Sequence, residues 1–247
     1  MALKSGIQWT DATWNPATGC SKVSPGCKNC YAETLAHRLQ AMGQPKYGNG
    51  FTYTEHPYDV DLPLKWKKPR KIFVNSMSDL FHEEADPAFV MKCFEVMIRA
   101  DWHVYQILTK RPHGMAKFSL RFQERFGRVI PEHIWMGTSV EDQNRSPRIE
   151  ELRQVRCKTR FISFEPLLGP VSNLDLSGVV WAIIGGESGK GFRPIRKEWV
   201  LDIILQCRRQ GVRVFFKQWG GYRPKSKGRL VDGVEYNEYP GRSGNTA

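Results

Sequence analysis

The chain has 247 residues, of which 40% are hydrophobic and 25% are charged. This is the composition of an ordinary globular protein, and no apolar run reaches the roughly 20 residues that cross a bilayer. The N-terminus carries no apolar signal segment either, so we predict a cytoplasmic protein without a membrane partner. Lysines and arginines number 37 against 25 aspartates and glutamates, which gives a net charge of +12. Such a charge indicates a polyanionic partner, most often nucleic acid, although a basic surface alone is the alternative.

Three of the six cysteines follow the first predicted strand, which spans residues 7–14. They are Cys20, Cys27 and Cys30, spaced C-x6-C-x2-C. A helix is predicted from there to about Met42, so the cysteines lie on a loop that ends at a helix N-terminus. Free backbone N–H groups and the positive dipole end at that place favour thiolates, the form that binds metals. In a reducing compartment, such clustering indicates a metal or catalytic site rather than disulfides.

Strands and helices alternate beyond residues 43–64, which we predict to be a long loop with at most a short strand. The predicted strands are 71–77, 103–110, 133–140, 160–167, 179–186 and 212–219. The predicted helices are 86–101, 112–126, 146–155 and 197–211. Continuous apolar strands between amphipathic helices indicate a parallel sheet that is buried on both faces. We therefore predict an α/β fold with a parallel, partial TIM-type barrel of about six or seven β-α units. An open Rossmann-like sheet is the alternative.

Polar side chains follow each of the apolar strands. They include Asn75, Ser76, Asp79, Lys110, Ser139, Glu141, Glu165, Glu187 and Lys217. Functional groups gather at the carboxyl ends of strands in parallel α/β folds. The pattern therefore predicts a polar site on one rim of the barrel, which the cysteine loop shares. A structural ion pair between Glu165 and either Lys110 or Lys217 is the alternative for that carboxylate.

Two stretches are strongly basic. Residues 65–71 hold five cations but precede a strand, which places them on the opposite rim. A second cluster follows the last strand on the same rim as the predicted site, and it consists of Arg223, Lys225, Lys227 and Arg229. Lysines and arginines of this kind position a nucleic acid through its phosphates. We predict a barrel domain over residues 1–222 and a basic C-terminal tail over residues 223–247.

Three clustered cysteines fit two kinds of metal centre. Structural zinc requires a fourth ligand, for which His37 is a candidate, although a surface histidine on a helix is the simpler interpretation. An iron–sulfur cubane held by three cysteines leaves one iron open to a small molecule. The local spacing favours iron–sulfur and leaves zinc open.

The same residues resemble those of a known enzyme family. Cys20, Cys27 and Cys30 after the first strand of a βα barrel resemble the cluster loop of radical S-adenosylmethionine (SAM) enzymes. The order Asn-Pro, Gly-Cys, Gly-Cys and Cys-Tyr over residues 15–31 resembles the branch that contains spore photoproduct lyase, as do the strand ends IFVNSMSD and ILTKRP. Residues 1 to about 240 also resemble an uncharacterised three-cysteine family found in phages and bacteria. The first cysteine pair is wider than the usual C-x3-C, and Asn29 stands where an aromatic residue is usual.

The resemblance implies a [4Fe-4S] cluster on the three cysteines, with SAM on the fourth iron. An external electron donor would reduce the cluster, and cleavage of SAM would give a 5′-deoxyadenosyl radical that abstracts hydrogen from the substrate. The implied cofactor contacts are Tyr31, Asn75, Ser76, Asp79, Ser139 and Glu141. The implied catalytic residues, which would face the substrate, are Lys110, Glu165 and Lys217.

The resemblance and the basic charge together favour a nucleic-acid or nucleotide substrate, for repair or modification. Two other hypotheses stay open. One is a non-enzymatic nucleic-acid-binding protein stabilised by zinc. The other is an iron–sulfur protein that requires a partner protein for activity.

Overall fold

A seven-stranded parallel sheet organises the computed structural model, which describes residues 5–241. Its strands are β1 (Ala12–Trp14), β2 (Lys71–Val74), β3 (Val104–Thr109), β4 (Ile130–Ser139), β5 (Cys157–Phe164), β6 (Trp181–Gly185) and β7 (Arg213–Gln218). Each strand pairs in parallel with the next one along the chain, and β1 does not pair with β7. An open Rossmann-like sheet would reverse its strand order at a switch point, so that alternative is wrong. The predicted parallel, partial TIM-type barrel is confirmed.

Five helices follow strands of the sheet. They are α1 (Tyr31–Ala41), α2 (Pro87–Arg99), α3 (Pro112–Phe126), α4 (Pro147–Arg153) and α5 (Lys197–Arg209). Three of them begin with proline, whose missing N–H costs nothing in the first helical turn. Helix α3 ends at Gly127 with a φ of 64°, a left-handed conformation that glycine adopts without strain. The predicted helices are therefore all present, with ends that shift by at most two residues.

The inner face of the curved sheet changes character along its strands. Near the amino ends it carries a cluster of large side chains: Trp9, Phe73, Trp135, Phe161, Trp181, Ile183 and Phe215. Side chains two residues apart share a face of a strand, so Asn75, Ser139 and Lys217 continue the same face towards the carboxyl ends. The lower half of the barrel is thus filled by aromatic rings, and its upper half is polar. The larger core lies on the outer face, between the sheet and the helices.

The segment between α1 and β2 forms one wall beside the cysteine loop. Thr54–Glu55 is the predicted short strand, and it pairs antiparallel with Ala17–Thr18 just before the first cysteine. A four-residue helix, Leu62–Lys65, was not predicted. The backbone N–H of Cys20 donates to the carbonyl of Phe51 at 3.0 Å, so this segment helps to fix the loop.

The chain after β7 folds back onto the barrel. Leu230–Val231 and Val234–Glu235 form a small hairpin, and residues 236–238 then run beside β7. The ring of Tyr239 stacks on Trp181 with centroids 5.5 Å apart. The boundary at residue 222 stays a prediction, and residues 242–247 of the predicted tail lie outside the described residues. No helix in the described part of the chain combines the length and apolarity that a bilayer crossing requires.

Candidate metal and cofactor site

The three cysteines border one cavity of about 140 Å³ at the carboxyl ends of the strands. Nine of the predicted site residues line it: Cys20, Cys27, Cys30, Tyr31, Asn75, Ser76, Asp79, Lys110 and Ser139. Glu141, Glu165 and Lys217 do not. The structure therefore brings most of the predicted residues together, while their roles as ligands and catalysts stay predictions.

The entry to the cysteine loop depends on Gly19. Its N–H donates to the carbonyl of Met77 at 3.0 Å, and its carbonyl accepts from the hydroxyl of Ser78 at 2.6 Å. The backbone is left-handed there, with a φ of +79°, and a Cβ would overlap the carbonyl oxygen of Thr52. Glycine thus permits both the turn and the close approach of two backbones that place Cys20.

Gly19→Ala is expected to lower the free energy of unfolding by at least about 3 kcal/mol, because steric overlap adds to the strain of a positive φ. Gly43→Ala is the matched control, since Gly43 has a φ of +67° but nothing within 4 Å of the added Cβ. It should cost only about 1–2 kcal/mol, the strain of the left-handed conformation. Urea unfolding measures both values. Equal losses in the two variants would show that the backbones at residues 19 and 52 can separate at little cost.

Arg111 was not predicted as a site residue, yet it contacts the first cysteine. Its guanidinium donates to Cys20 Sγ at 3.6 Å, to Ser21 Oγ at 2.6 Å and to Asp79 Oδ2 at 3.3 Å. Asp79 in turn accepts from Thr109 Oγ1 at 2.7 Å. The carboxylate and the guanidinium therefore tie the end of β3 to the cysteine loop. The sequence signal was available, because Arg111 directly follows a strand end that was assigned to the site.

The features that favour thiolates act unevenly along the cysteine loop. Burial raises the pKa of its thiol to about 11, the nearby negative charge of Asp79 adds to this, and Arg111 opposes it. The helix N-terminus invoked for the thiolate lies at Cys30, which is the N-cap residue of α1. Cys20 stands at the other end of the loop, where the influence of the helix dipole has fallen away.

Glu141 lies directly beneath the cysteine loop. Its carboxylate is fully buried and accepts from Arg148 Nη1 at 3.0 Å and from Ser24 Oγ at 2.6 Å. The same hydroxyl lies 3.7 Å from Cys27 Sγ. A Cβ on Gly26 would stand 2.6 Å from Glu141 Oε1, so glycine lets the loop rest on this carboxylate. The predicted cofactor contact of Glu141 stays a prediction, whereas its contacts to the loop are direct.

A second buried carboxylate holds the end of the cysteine loop that leads into α1. Glu187 Oε2 accepts from Asn29 Nδ2 at 3.0 Å, and Arg193 donates to both carboxylate oxygens. Although burial opposes ionisation, the hydrogen bonds from Arg193 and Asn29 hold the pKa of Glu187 below its usual range. Asn29, which precedes the last cysteine, thus joins the cysteine loop to the loop after β6.

The three predicted catalytic residues form two ion pairs. Glu165 Oε1 lies 3.0 Å from Lys217 Nζ, and its other oxygen accepts from Ser163 Oγ at 3.1 Å. Lys110 Nζ lies 3.7 Å from Glu141 Oε1. The ion-pair alternative for Glu165 is therefore present with Lys217 and not with Lys110. Lys110, Glu165 and Lys217 are partly exposed, so their charges remain accessible to a polar ligand, whereas Glu141 is fully buried.

Asn75 has an unused hydrogen-bond donor at the cavity wall. The residue is 2% exposed, with a φ of +57°. Its Oδ1 accepts from the N–H of Ala17 at 3.2 Å, and its Nδ2 has no partner among residues 5–241. A buried amide donor without a partner carries a free-energy cost that a ligand acceptor could relieve. The neighbouring carbonyl of Ser76 already accepts from the Tyr31 hydroxyl at 2.6 Å.

The candidate donor set consists of three thiols, the number of ligands in a cluster held by three cysteines. Three thiols border the cavity, but no three described His, Cys, Asp or Glu side chains converge closely enough to hold one metal ion. His37 is exposed on α1 and does not line this cavity, although it lines a neighbouring pocket that Cys20 also borders, so its role as a fourth ligand stays a prediction.

A comparison with protein families identifies the family of this chain. The model of a family described as protein of unknown function (DUF5131) matches residues 4–240. The chain belongs to this family. No match was found among curated proteins.

Two solved structures of spore photoproduct lyase are similar to the chain. One is a double mutant with bound AdoMet and dinucleoside spore photoproduct, at a TM-score of 0.42 and 11% identity over 70% of this chain and 55% of that one. The other is a complex with dinucleoside spore photoproduct, at a TM-score of 0.41 and 12% identity over 78% of this chain and 59% of that one. The chain thus spans little more than half the length of these structures.

Proposed function

We propose that the protein is a radical SAM enzyme that acts on nucleic acid or a nucleotide. Cys20, Cys27 and Cys30 would hold a [4Fe-4S] cluster, and SAM would bind in the adjoining cavity. The observation that supports this most directly is that the three thiols border one cavity with inward-facing polar residues of the strand ends. The resemblance of the cysteine loop to that of radical SAM enzymes supplies the chemistry. The proposal includes an external electron donor and a cytoplasmic location.

When bound, the reduced cluster supplies the electron that cleaves SAM and so starts radical chemistry. The chain's own residues would bind and orient the reactants. The free Nδ2 of Asn75 can donate to an acceptor on SAM, such as a carboxylate. Lys110 lies at the cavity wall with its side chain 23% exposed, so it can meet an anionic group of either reactant. The paired Glu165 and Lys217 would hold a polar group of the substrate and exchange a proton with it.

Anaerobic purification followed by addition of SAM and a chemical reductant tests the proposal. We expect a coloured protein with bound iron and sulfide that converts SAM to 5′-deoxyadenosine. Colourless protein with zinc alone would contradict the proposal in favour of the zinc-stabilised binding protein. Iron and sulfide without 5′-deoxyadenosine would contradict an enzyme that acts alone, in favour of an iron–sulfur protein that requires a partner.

A further inference from the structure

The loops that follow β6 and β7 are joined side by side at the rim of the site. The N–H of Gly189 donates to the carbonyl of Gly221, and the N–H of Gly221 donates to the carbonyl of Glu187, each at 3.0 Å. The side-chain amide of Gln218 adds a bond to Ser188 Oγ at 2.8 Å. These contacts make one surface of two loops that are far apart in sequence.

Two stretches of this surface are rich in cations. Residues 188–197 and 219–229 contain no aspartate or glutamate. Six of their cations are exposed, and we call four of the six the basic rim: Lys190, Arg223, Lys225 and Lys227. Among the described residues, none of the four takes part in an ion pair. A charged surface that is merely solvated usually mixes both signs, so this one is suited to an anion.

The basic rim is continuous with the cysteine loop. Asn29 Nδ2 donates to the carbonyl of Gly191 at 2.9 Å, which fixes the loop of Lys190 beside the cysteines. The other basic run, residues 65–71, precedes β2 and so lies at the opposite end of the sheet. Of these two basic stretches, the basic rim is therefore the one that lies at the same end of the sheet as the cavity.

An exposed aromatic ring lies within the basic rim. Tyr222 is 69% exposed and directly precedes Arg223. Proteins that hold single-stranded nucleic acid combine cations for the backbone with aromatic faces on which bases stack. The bases of a duplex are already stacked on one another, so an exposed tyrosine makes weaker stacking contacts with a duplex than with a single strand.

We propose that the basic rim binds the phosphates of a single-stranded nucleic acid, that Tyr222 stacks on one of its bases, and that the strand leads a nucleotide to the cavity. This inference rests on the proposed function and narrows it, because the substrate is then a polymer rather than a free nucleotide. DNA and RNA share the required chemistry of phosphates and bases.

Fluorescence anisotropy with labelled single-stranded DNA and RNA of the same sequence tests the proposal on the anaerobically purified full chain. Lys225→Gln with Lys227→Gln should weaken binding about tenfold and lower the slope of log affinity against log salt by about 1.4, which is two phosphates at about 0.7 each. Lys67→Gln with Lys68→Gln removes the same charge from exposed lysines at the opposite rim, and it should change affinity less than twofold. Equal losses in both double variants would overturn the proposal, since net charge alone would then explain binding.

Tyr222→Ala should weaken binding by about tenfold, whereas Tyr222→Phe should retain it, because the ring face is kept. The proposal would be overturned if the protein bound a duplex as tightly as the single strand. It would also be overturned if a free nucleoside triphosphate displaced the labelled strand as well as an unlabelled strand does. Tighter binding of either the DNA or the RNA strand would identify which of the two nucleic acids is the ligand. Formation of 5′-deoxyadenosine without rim-dependent binding would sink this inference and leave the proposed enzyme standing. Binding that depends on the basic rim, without cleavage of SAM, would contradict the proposed radical SAM enzyme and leave the nucleic-acid-binding surface standing.

Discussion

Cys27→Ala is expected to lower the iron content of the anaerobically purified protein by more than about tenfold. Loss of a residue that merely supports a metal ligand already costs tenfold to a hundredfold in affinity, and Cys27 would be a ligand itself. The visible absorbance and the production of 5′-deoxyadenosine should fall with the iron. Iron and sulfide analysis measures the effect directly, without relying on activity.

Cys93→Ala is the matched control for this variant. Cys93 is fully buried within α2 in the core between helices and sheet, and it does not line the cavity. It should keep its iron and lose about 1 kcal/mol of stability, since a small buried side-chain group is removed. Equal loss of iron from both variants would mean that the ligands are assigned wrongly.

Glu141→Ala is expected to lower the free energy of unfolding by about 3–5 kcal/mol, because it leaves the guanidinium of Arg148 buried without its anion. Removal of the carboxylate also frees Ser24 from its 2.6 Å hydrogen bond, so the loop around Cys27 should loosen. The rate at which a thiol reagent modifies Cys27 in the native protein should then rise. Urea unfolding and the modification rate test the two consequences separately.

Glu95→Ala is the matched control, because it removes a carboxylate from an exposed ion pair. Its partner Arg125 is 66% exposed and lies 3.7 Å away, so the pair should contribute at most about 1 kcal/mol. If the Glu141 and Glu95 variants unfold alike, the buried pair does not hold the loop. Glu141→Gln keeps the shape of the side chain and is expected to fall between them, which keeps the test usable if the alanine variant folds poorly.

The fold was predictable because each of its strands and helices has its own local sequence pattern. Each buried strand of a parallel sheet is a continuous apolar run, and each helix has its own cap or proline, so the elements can be assigned one by one. The common rim of the site followed from topology, since the carboxyl ends of parallel strands meet at one edge. Asn75, Lys110 and Ser139 illustrate this, because they border one cavity although they come from three strands.

The contacts that fix the cysteine loop could not be predicted in the same way. Ser24 and Glu141 are 117 residues apart, and Asn29 and Glu187 are 158 apart. Such pairs depend on how packed elements orient their side chains, which no local pattern encodes. Gly26 does signal that something approaches closely, but it does not identify Glu141 as the neighbour.

Residues 236–239 lie beside β7 and cover that edge of the sheet, which bears on self-association. The N–H of Phe216 donates to the carbonyl of Tyr236 at 2.9 Å, and the N–H of Glu238 donates to the carbonyl of Val214 at 3.1 Å. An uncovered sheet edge is a template on which a strand of another molecule can form hydrogen bonds. Without residues 236–239 the edge of β7 and the ring of Trp181 would both be open to a neighbour. Residues 236–239 thus cover the edge of β7, which disfavours edge-to-edge pairing with another molecule.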